Sequence, residues 1–314
     1  MSKVMLGDLL EGMPVRTQAV CKSMKLLPFK NKPGNYLALT VSDRTASLEA
    51  KVFTNAEEQA ARIAENSVVT IVGKCDAYQG NPQLVLDTVE PWLEPIDPAD
   101  FLPTYPGDVA ALEVQLDKWI ASIQHPELSL LLHTIFADPD IRTRYCAAPA
   151  AKGMHSAYLH GLLEHVVRQA ALADAACQCY PLADRDMVLA GVLLHDIGKI
   201  NEFAWQLAID YTDLGRLEGH CVNGDRLVDQ FARELQIDQH LALRLRHLIL
   251  SHHGQAEYGA PVLPQTLEAV ILHAVDNLEA KATHCIEMLT SGDTSKAWTE
   301  YDRIESRYWY RGVK

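Results

Sequence analysis

The run Gly191-Val192-Leu193-Leu194-His195-Asp196-Ile197-Gly198-Lys199 sets an imidazole and a carboxylate side by side in a stretch that otherwise reads as an apolar helix. Among Val192, Leu193, Leu194 and Ile197, such a pair must be neutral, hydrogen-bonded or ligated to a cation, and His-Asp suits the third case. Taken alone, it is equally compatible with an N-cap Asp beside a core histidine. Its surroundings decide. Upstream, Leu162-Leu163-Glu164-His165 offers another imidazole. Downstream come Gly219-His220, Ser251-His252-His253-Gly254 and His273-Ala274-Val275-Asp276-Asn277, each on or beside a predicted helix.

That ordered series, His165, His195-Asp196, His220, His252-His253 and Asp276, resembles the HD-domain superfamily of metal-dependent phosphohydrolases. The wider wording, Gly161-Leu162-Leu163-Glu164-His165, Leu193 to Lys199, Leu250-Ser251-His252-His253-Gly254 and Leu272 to Lys281, is similar to the YhaM family of 3′-5′ exoribonucleases. The resemblance covers nearly the whole chain and implies an N-terminal OB-type nucleic-acid-binding domain joined to a C-terminal HD domain. Cyclic-dinucleotide phosphodiesterases of the HD-GYP kind carry Gly-Tyr-Pro after the His-His pair, whereas residues 254–261 here run Gly-Gln-Ala-Glu-Tyr-Gly-Ala-Pro.

The first third reads as strands with one helix. Residues 15–21, 36–41 and 47–53 alternate or run apolar, with the turn-rich Asn31-Lys32-Pro33-Gly34-Asn35 between the first two. Asn55-Ala56-Glu57-Glu58 looks like a capped helix start running to about Ala64, followed by strands over 67–75 and 83–89. Five strands with a helix between the third and fourth is the OB order, with a small unrelated barrel as the alternative. Prolines 91, 95, 98, 103 and 106 break helix and strand alike and place a boundary there. Beyond it, Leu112, Leu116, Trp119, Ile120 and Ile123 recur at helical spacing, as do Leu162, Leu163, Val166, Val167 and Ala170 around His165. Further helices are predicted over 186–195, 221–235, 241–251 and 267–290, with a strand signal only at 208–212.

The chain has 314 residues, 48% of them hydrophobic, enough for two cores. No apolar run approaches the ~20 residues of a membrane span and no signal-peptide pattern opens the sequence, so a cytoplasmic location is expected. Seven scattered cysteines fit reduced thiols better than a disulfide framework. A net charge of -13 argues at first sight against nucleic acid. Yet no acidic residue falls between Glu11 and Asp43, a stretch holding Arg16, Lys22, Lys25, Lys30 and Lys32 with Phe29 and Tyr36 interleaved. Basic grooves carrying aromatic side chains bind single strands without sequence preference. Lys22, Lys25, Phe29, Lys30, Lys32 and Tyr36 are the candidate nucleic-acid contacts, against the alternative of an ordinary solvated loop.

By the resemblance, His165, His195, Asp196 and Asp276 hold one divalent ion, a mixed imidazole and carboxylate set that favours Mn²⁺ or Fe²⁺ over Mg²⁺. Asp196 bridges to a second ion on His220 and one histidine of His252-His253, taken as His252, and two ions roughly 3.5–4 Å apart can clamp a phosphodiester. Gly161 stands where a third site would want an acid, so two ions are expected; the alternative is that His220 binds phosphate. Lys199, three residues beyond Asp196, is assigned to the scissile phosphate. His253 and His155 are candidates for supporting the site or touching substrate, and Glu164 for orienting His165.

The reading is an α+β multidomain protein: a five-stranded OB-fold β-barrel over 1–94, a proline-rich linker over 95–107, and an all-α HD phosphohydrolase domain over 108–314. The expected activity is metal-dependent 3′-5′ exonucleolysis of single-stranded RNA, with single-stranded DNA a further candidate substrate, releasing nucleoside 5′-monophosphates; assembly into a homo-oligomer is left open. The alternatives are a phosphohydrolase of free or cyclic nucleotides whose OB domain serves assembly, and a noncatalytic RNA-binding protein.

Overall fold

A computed structural model describes residues 4–78, 80–153 and 156–312. The protein forms two compact units, Met1–Pro103 with Trp205–Ala208, and Thr104–Ala204 with Ile209–Lys314.

The first unit is a closed barrel of β1 (Pro14–Pro28), β2 (Asn35–Ser42), β3 (Ser47–Val52), β4 (Ser67–Tyr78) and β5 (Asn81–Pro91) in the order β1-β2-β3-β5-β4, sealed by β1 against β4. Helix α1 (Ala56–Ala60) sits between β3 and β4, and β3 runs parallel to β5. Period-two patterning drives the closure: in β1, Val15, Thr17 and Ala19 point inward while Pro14 and Arg16 face out. Leu37, Val41, Val52, Ile71, Leu84 and Val89 fill the interior with no exposed surface. Each such residue is worth about 1.5–3 kcal/mol relative to exposure. Two elements depart from the sequence reading. A register shift between Cys21 and Ser23 resets the alternation of β1, which then pairs with β2 as far as Pro28 opposite Asn35. The basic stretch is therefore strand rather than loop up to Pro28. Helix α1 ends at Ala60, short of Ala64.

The second unit is helical: α2 (Val109–Ala121), α3 (Pro126–Ala137), α4 (Pro139–Ala147), α5 (Gly161–Cys179), α6 (Arg185–Leu194), α7 (Lys199–Glu202), α8 (Asp213–Glu234), α9 (Gln239–Ser251) and α10 (Leu267–Thr290). A two-stranded sheet, β6 (Phe203–Trp205) with β7 (Ile209–Tyr211), precedes α8. Polar residues cap the helix starts, among them Asp184 to the Met187 amide at 3.1 Å, Thr212 to Gly215 at 2.9 Å and Thr266 to Ala269 at 3.1 Å, each worth about 1 kcal/mol. From Met187 to Leu194 every residue of α6 is buried, which makes α6 the central helix of the unit. None of the described helices is long and apolar enough to cross a membrane.

Candidate metal centre

Helix α6 stops at Leu194, and His195 to Gly198 form a turn leading into α7. The His-Asp pair thus lies at a helix break, not inside a helix as its sequence suggested. A glycine makes the break workable, since a Cβ on Gly198 would stand 2.0 Å from the His220 carbonyl oxygen and 2.6 Å from the Gly224 nitrogen. Only a hydrogen there lets the turn pack against α8. A second glycine aims His220, because Gly219 has φ 73° and ψ 163° within α8 and kinks the helix just before the histidine.

The structure brings His165, His195, Asp196, His220, His252, His253 and Asp276 together. His165 Nε2 lies 3.3 Å from Asp276 Oδ1 and 3.5 Å from Asp196 Oδ2, and His195 Nε2 lies 3.3 Å from Asp196 Oδ2 and 3.9 Å from Asp276 Oδ1. The other Asp196 oxygen, Oδ1, is 3.5 Å from His220 Nε2 and 3.6 Å from His252 Nε2. One carboxylate is therefore shared between two groups of imidazoles. Donors bound at about 2.0–2.2 Å to a common ion stand about 3.0–3.5 Å apart, and these separations match or slightly exceed that spacing.

Every imidazole is held by its other nitrogen. Nδ1 of His165 meets Glu279 Oε2 at 2.5 Å, that of His195 the Val192 carbonyl at 2.8 Å, and that of His252 the Ile249 carbonyl at 2.7 Å. His220 Nδ1 is 3.0 Å from both oxygens of Glu202, and His253 Nδ1 bonds the Tyr258 carbonyl. In the neutral imidazole each Nδ1 donates to such an oxygen, which leaves a lone pair on Nε2. His195 Nε2, His252 Nε2 and Asp196 Oδ1 are buried with no hydrogen-bond partner among the described residues, and the Nε2 atoms of His220 and His253 face each other at 3.0 Å. Acceptors converging in this way need a cation or a proton among them. The donor set fits a divalent metal, and three overlapping ligand groups, His165-His195-Asp276, His195-Asp196-His252 and His220-Cys221-His252-His253, have donor atoms close enough to share an ion.

The protein charges balance the same way. Burial opposes ionisation of Asp196, but Lys199 and His195 overcome it and hold its carboxyl well below the usual range. Burial lowers the His165 imidazole, yet Asp276 and Glu279 raise it to about 9; His220, opposed by burial but supported by contacts with Cys221 and Glu202, rises to about 10. Burial and the neighbouring His195 and His253 push His252 down. Lys199 Nζ sits 2.6 Å from Asp196 Oδ2, so the lysine assigned to the scissile phosphate is paired with the shared carboxylate.

Glu164 does not orient His165, contrary to expectation. Successive helical residues point about 100° apart, and Glu164 instead bonds the Tyr158 hydroxyl and Arg168; Glu279, from α10, takes the orienting position. His155 lies outside the described residues. Sequence reasoning missed Glu279, Glu202 and Gln169, whose partners are distant in sequence or one helical turn away.

In the barrel, Phe29 and Tyr36 come together at 5.5 Å between ring centroids, with Phe53 at 6.3 and 5.8 Å from them. Lys32 Nζ stands 4.0 Å from the centre of the Phe29 ring, and Phe53 is 44% exposed. A groove of about 360 Å³ on this face is lined in part by Lys25, Leu27, Tyr36, Glu49 and Lys51. Of the six candidate contacts, Lys25 and Tyr36 line it, while Lys22, Phe29, Lys30 and Lys32 do not. Phe53, missed in the sequence, carried an aromatic signal at the end of a predicted strand.

A helical domain with converging histidines and aspartates, carried with an OB-type barrel, defines an HD-domain protein with a nucleic-acid-binding module: the HD domain family matches residues 162–281, and the OB-fold nucleic acid binding domain family matches residues 15–92. The chain belongs to the YhaM family of 3′-5′ exoribonucleases. It is 33% identical over 291 residues to the 3′-5′ exoribonuclease YhaM of Bacillus subtilis, covering 92% of this chain and 91% of that one. To the YhaM of Bacillus licheniformis it is 34% identical over 293 residues, 93% and 92% of the two chains, and to that of Bacillus velezensis 34% over 261 residues, 82% of each.

Proposed function

We propose that the protein is a metal-dependent 3′-5′ exoribonuclease that holds two divalent ions, of the Mn²⁺ or Fe²⁺ type, and releases nucleoside 5′-monophosphates from single-stranded RNA. The observation that carries this reading is the division of Asp196, with Oδ2 toward His165 and His195 and Oδ1 toward His220 and His252. His165, His195, Asp196 and Asp276 would hold one ion, and His220, His252 and His253 the other, with Asp196 common to both. Bound divalent ions lower the pKa of an attacking water and draw charge from the phosphodiester oxygens.

The remaining work falls to the protein's own residues. Glu279, Glu202 and the Val192 and Ile249 carbonyls fix the imidazole tautomers, so that each Nε2 keeps its lone pair. Lys199, paired with Asp196, is the cation that would offset charge developing on the phosphate. In the barrel, Phe29, Tyr36 and Phe53 offer faces for base stacking, while Lys25, Lys32 and Lys51 offset backbone charge. Single-stranded DNA presents the same stacking faces and phosphates and is a further candidate substrate.

Asp196→Ala tests the centre. It should abolish hydrolysis and strip both ions while the fold survives, because only the site loses its charge balance. Full metal content by elemental analysis in a folded Asp196→Ala protein would overturn the assignment.

A further inference from the structure

Gln169 stands at the centre, and nothing in its sequence surroundings pointed to it. It lies four residues after His165 on α5, hence on the same helical face, and is completely buried. Its Nε2 donates to Asp276 Oδ1 at 2.7 Å and lies 2.8 Å from His165 Nε2. Its Oε1 is buried and has no hydrogen-bond partner among the described residues. A buried amide with one end unsatisfied is costly, and its other end is the one aimed at two proposed ligand atoms.

We propose that Gln169 is itself a ligand of the metal centre, giving its carboxamide oxygen to the ion proposed for His165, His195, Asp196 and Asp276; this rests on the two-ion reading above. The distances favour it. Neighbouring ligands of a six-coordinate ion with bonds of about 2.1 Å stand about 3.0 Å apart, and the Gln169 amide end is spaced from His165 and Asp276 in nearly that way. The NH₂ group has no lone pair to give, but the oxygen has two. A half-turn about the terminal torsion, which is broad and roughly two-fold, exchanges the two in the same volume. The NH₂ then takes the place where Oε1 now lies, and the gain is the bond between the amide oxygen and the cation. A neutral oxygen added to two imidazoles and two carboxylates carries the site past four-coordination, away from the tetrahedral preference of Zn²⁺ and toward Mn²⁺ or Fe²⁺.

The test is Mn²⁺ uptake by the chelator-stripped full-length protein, with free Mn²⁺ followed by electron paramagnetic resonance. Gln169→Met, similar in size but without the amide, should weaken one of the two sites by about tenfold or more and leave the other unchanged. Gln169→Glu, which restores an oxygen, should bind more tightly than the methionine variant. The proposal is overturned if Gln169→Met takes up both ions with wild-type affinity, or if Gln169→Glu is no better than methionine. A measurement on the wild type does not depend on either variant folding: with glutamine labelled at the carboxamide carbon, the infrared difference spectrum on adding Mn²⁺ should show a shifted glutamine carbonyl band, and its absence overturns the proposal. A wild-type protein that takes up no Mn²⁺ would instead overturn the metal-centre reading itself.

Discussion

Replacing Glu202 by leucine should separate the two proposed ion sites. Glu202 is buried and grips His220 three ways: its oxygens stand 3.0 Å from Nδ1, and Oε1 accepts from the His220 amide at 3.1 Å. Leucine leaves both donors without a partner beside a ring only 12% exposed, and frees the imidazole to change tautomer and tilt. Loss of such an orienting partner weakens metal affinity by about 10–100-fold, roughly 1.4–2.7 kcal/mol. His165 is oriented by Glu279 and His195 by Val192, so their ion should be unaffected. Calorimetric Mn²⁺ titration of the stripped protein should therefore show one site weakened and the other intact, with hydrolysis demanding correspondingly more Mn²⁺. The Glu202→Gln variant, which keeps an acceptor oxygen, should fall between. Equal weakening of both sites, or of neither, would show that Glu202 does not hold His220 for one ion alone.

Two other regions yield expected outcomes of their own. Asp302, buried near the C-terminus, accepts from His284 Nε2 at 2.7 Å and Trp309 Nε1 at 2.9 Å; burial opposes its ionisation, but Trp309 and His284 pull its pKa from 3.8 down to about 2. A depressed carboxylate stabilises the fold above its unfolded pKa and loses that contribution as pH falls through the folded one, so Asp302→Asn should cost about 2 kcal/mol at pH 6. Urea unfolding of both proteins should show the difference disappearing between pH 4 and pH 2, and a pH-independent difference would contradict it. On the barrel, Phe53→Ala should weaken binding of a fluorescent single-stranded oligonucleotide by about 1–3 kcal/mol, and Lys25→Gln with Lys32→Gln should flatten its salt dependence by about 0.7 for each phosphate that is no longer neutralised. Turnover of a dinucleotide should not change; unaltered oligonucleotide affinity would move the binding surface elsewhere.

The histidine and aspartate ligands were legible because His195-Asp196 interrupts an apolar run and because the ordered series from His165 to Asp276 resembles the HD-domain pattern. Their supports were not. Glu279 meets His165 across 114 positions and Glu202 meets His220 across 18, so neither pairing exists until the helices have packed. Proximity in sequence misled instead, and favoured Glu164, whose direction on the helix turns it away from His165. The barrel strands announced themselves by alternation at Val15, Thr17 and Ala19, but the register shift after Cys21 broke that rhythm and hid the last stretch of β1. The turn at His195 to Gly198 was hidden for a related reason. Leu194 and Ile197 are both fully buried, so the apolar pattern continues across a place where the helix does not.

Exonucleolysis from the 3′ end at a metal centre gives digestion a defined polarity. Purified protein with Mn²⁺ and 5′-labelled single-stranded RNA should shorten the labelled strand progressively to small oligonucleotides, release nucleoside 5′-monophosphates, and do neither in excess chelator. First release of the labelled 5′ nucleotide, or cleavage of a circular RNA, would rule out a 3′-5′ exonuclease.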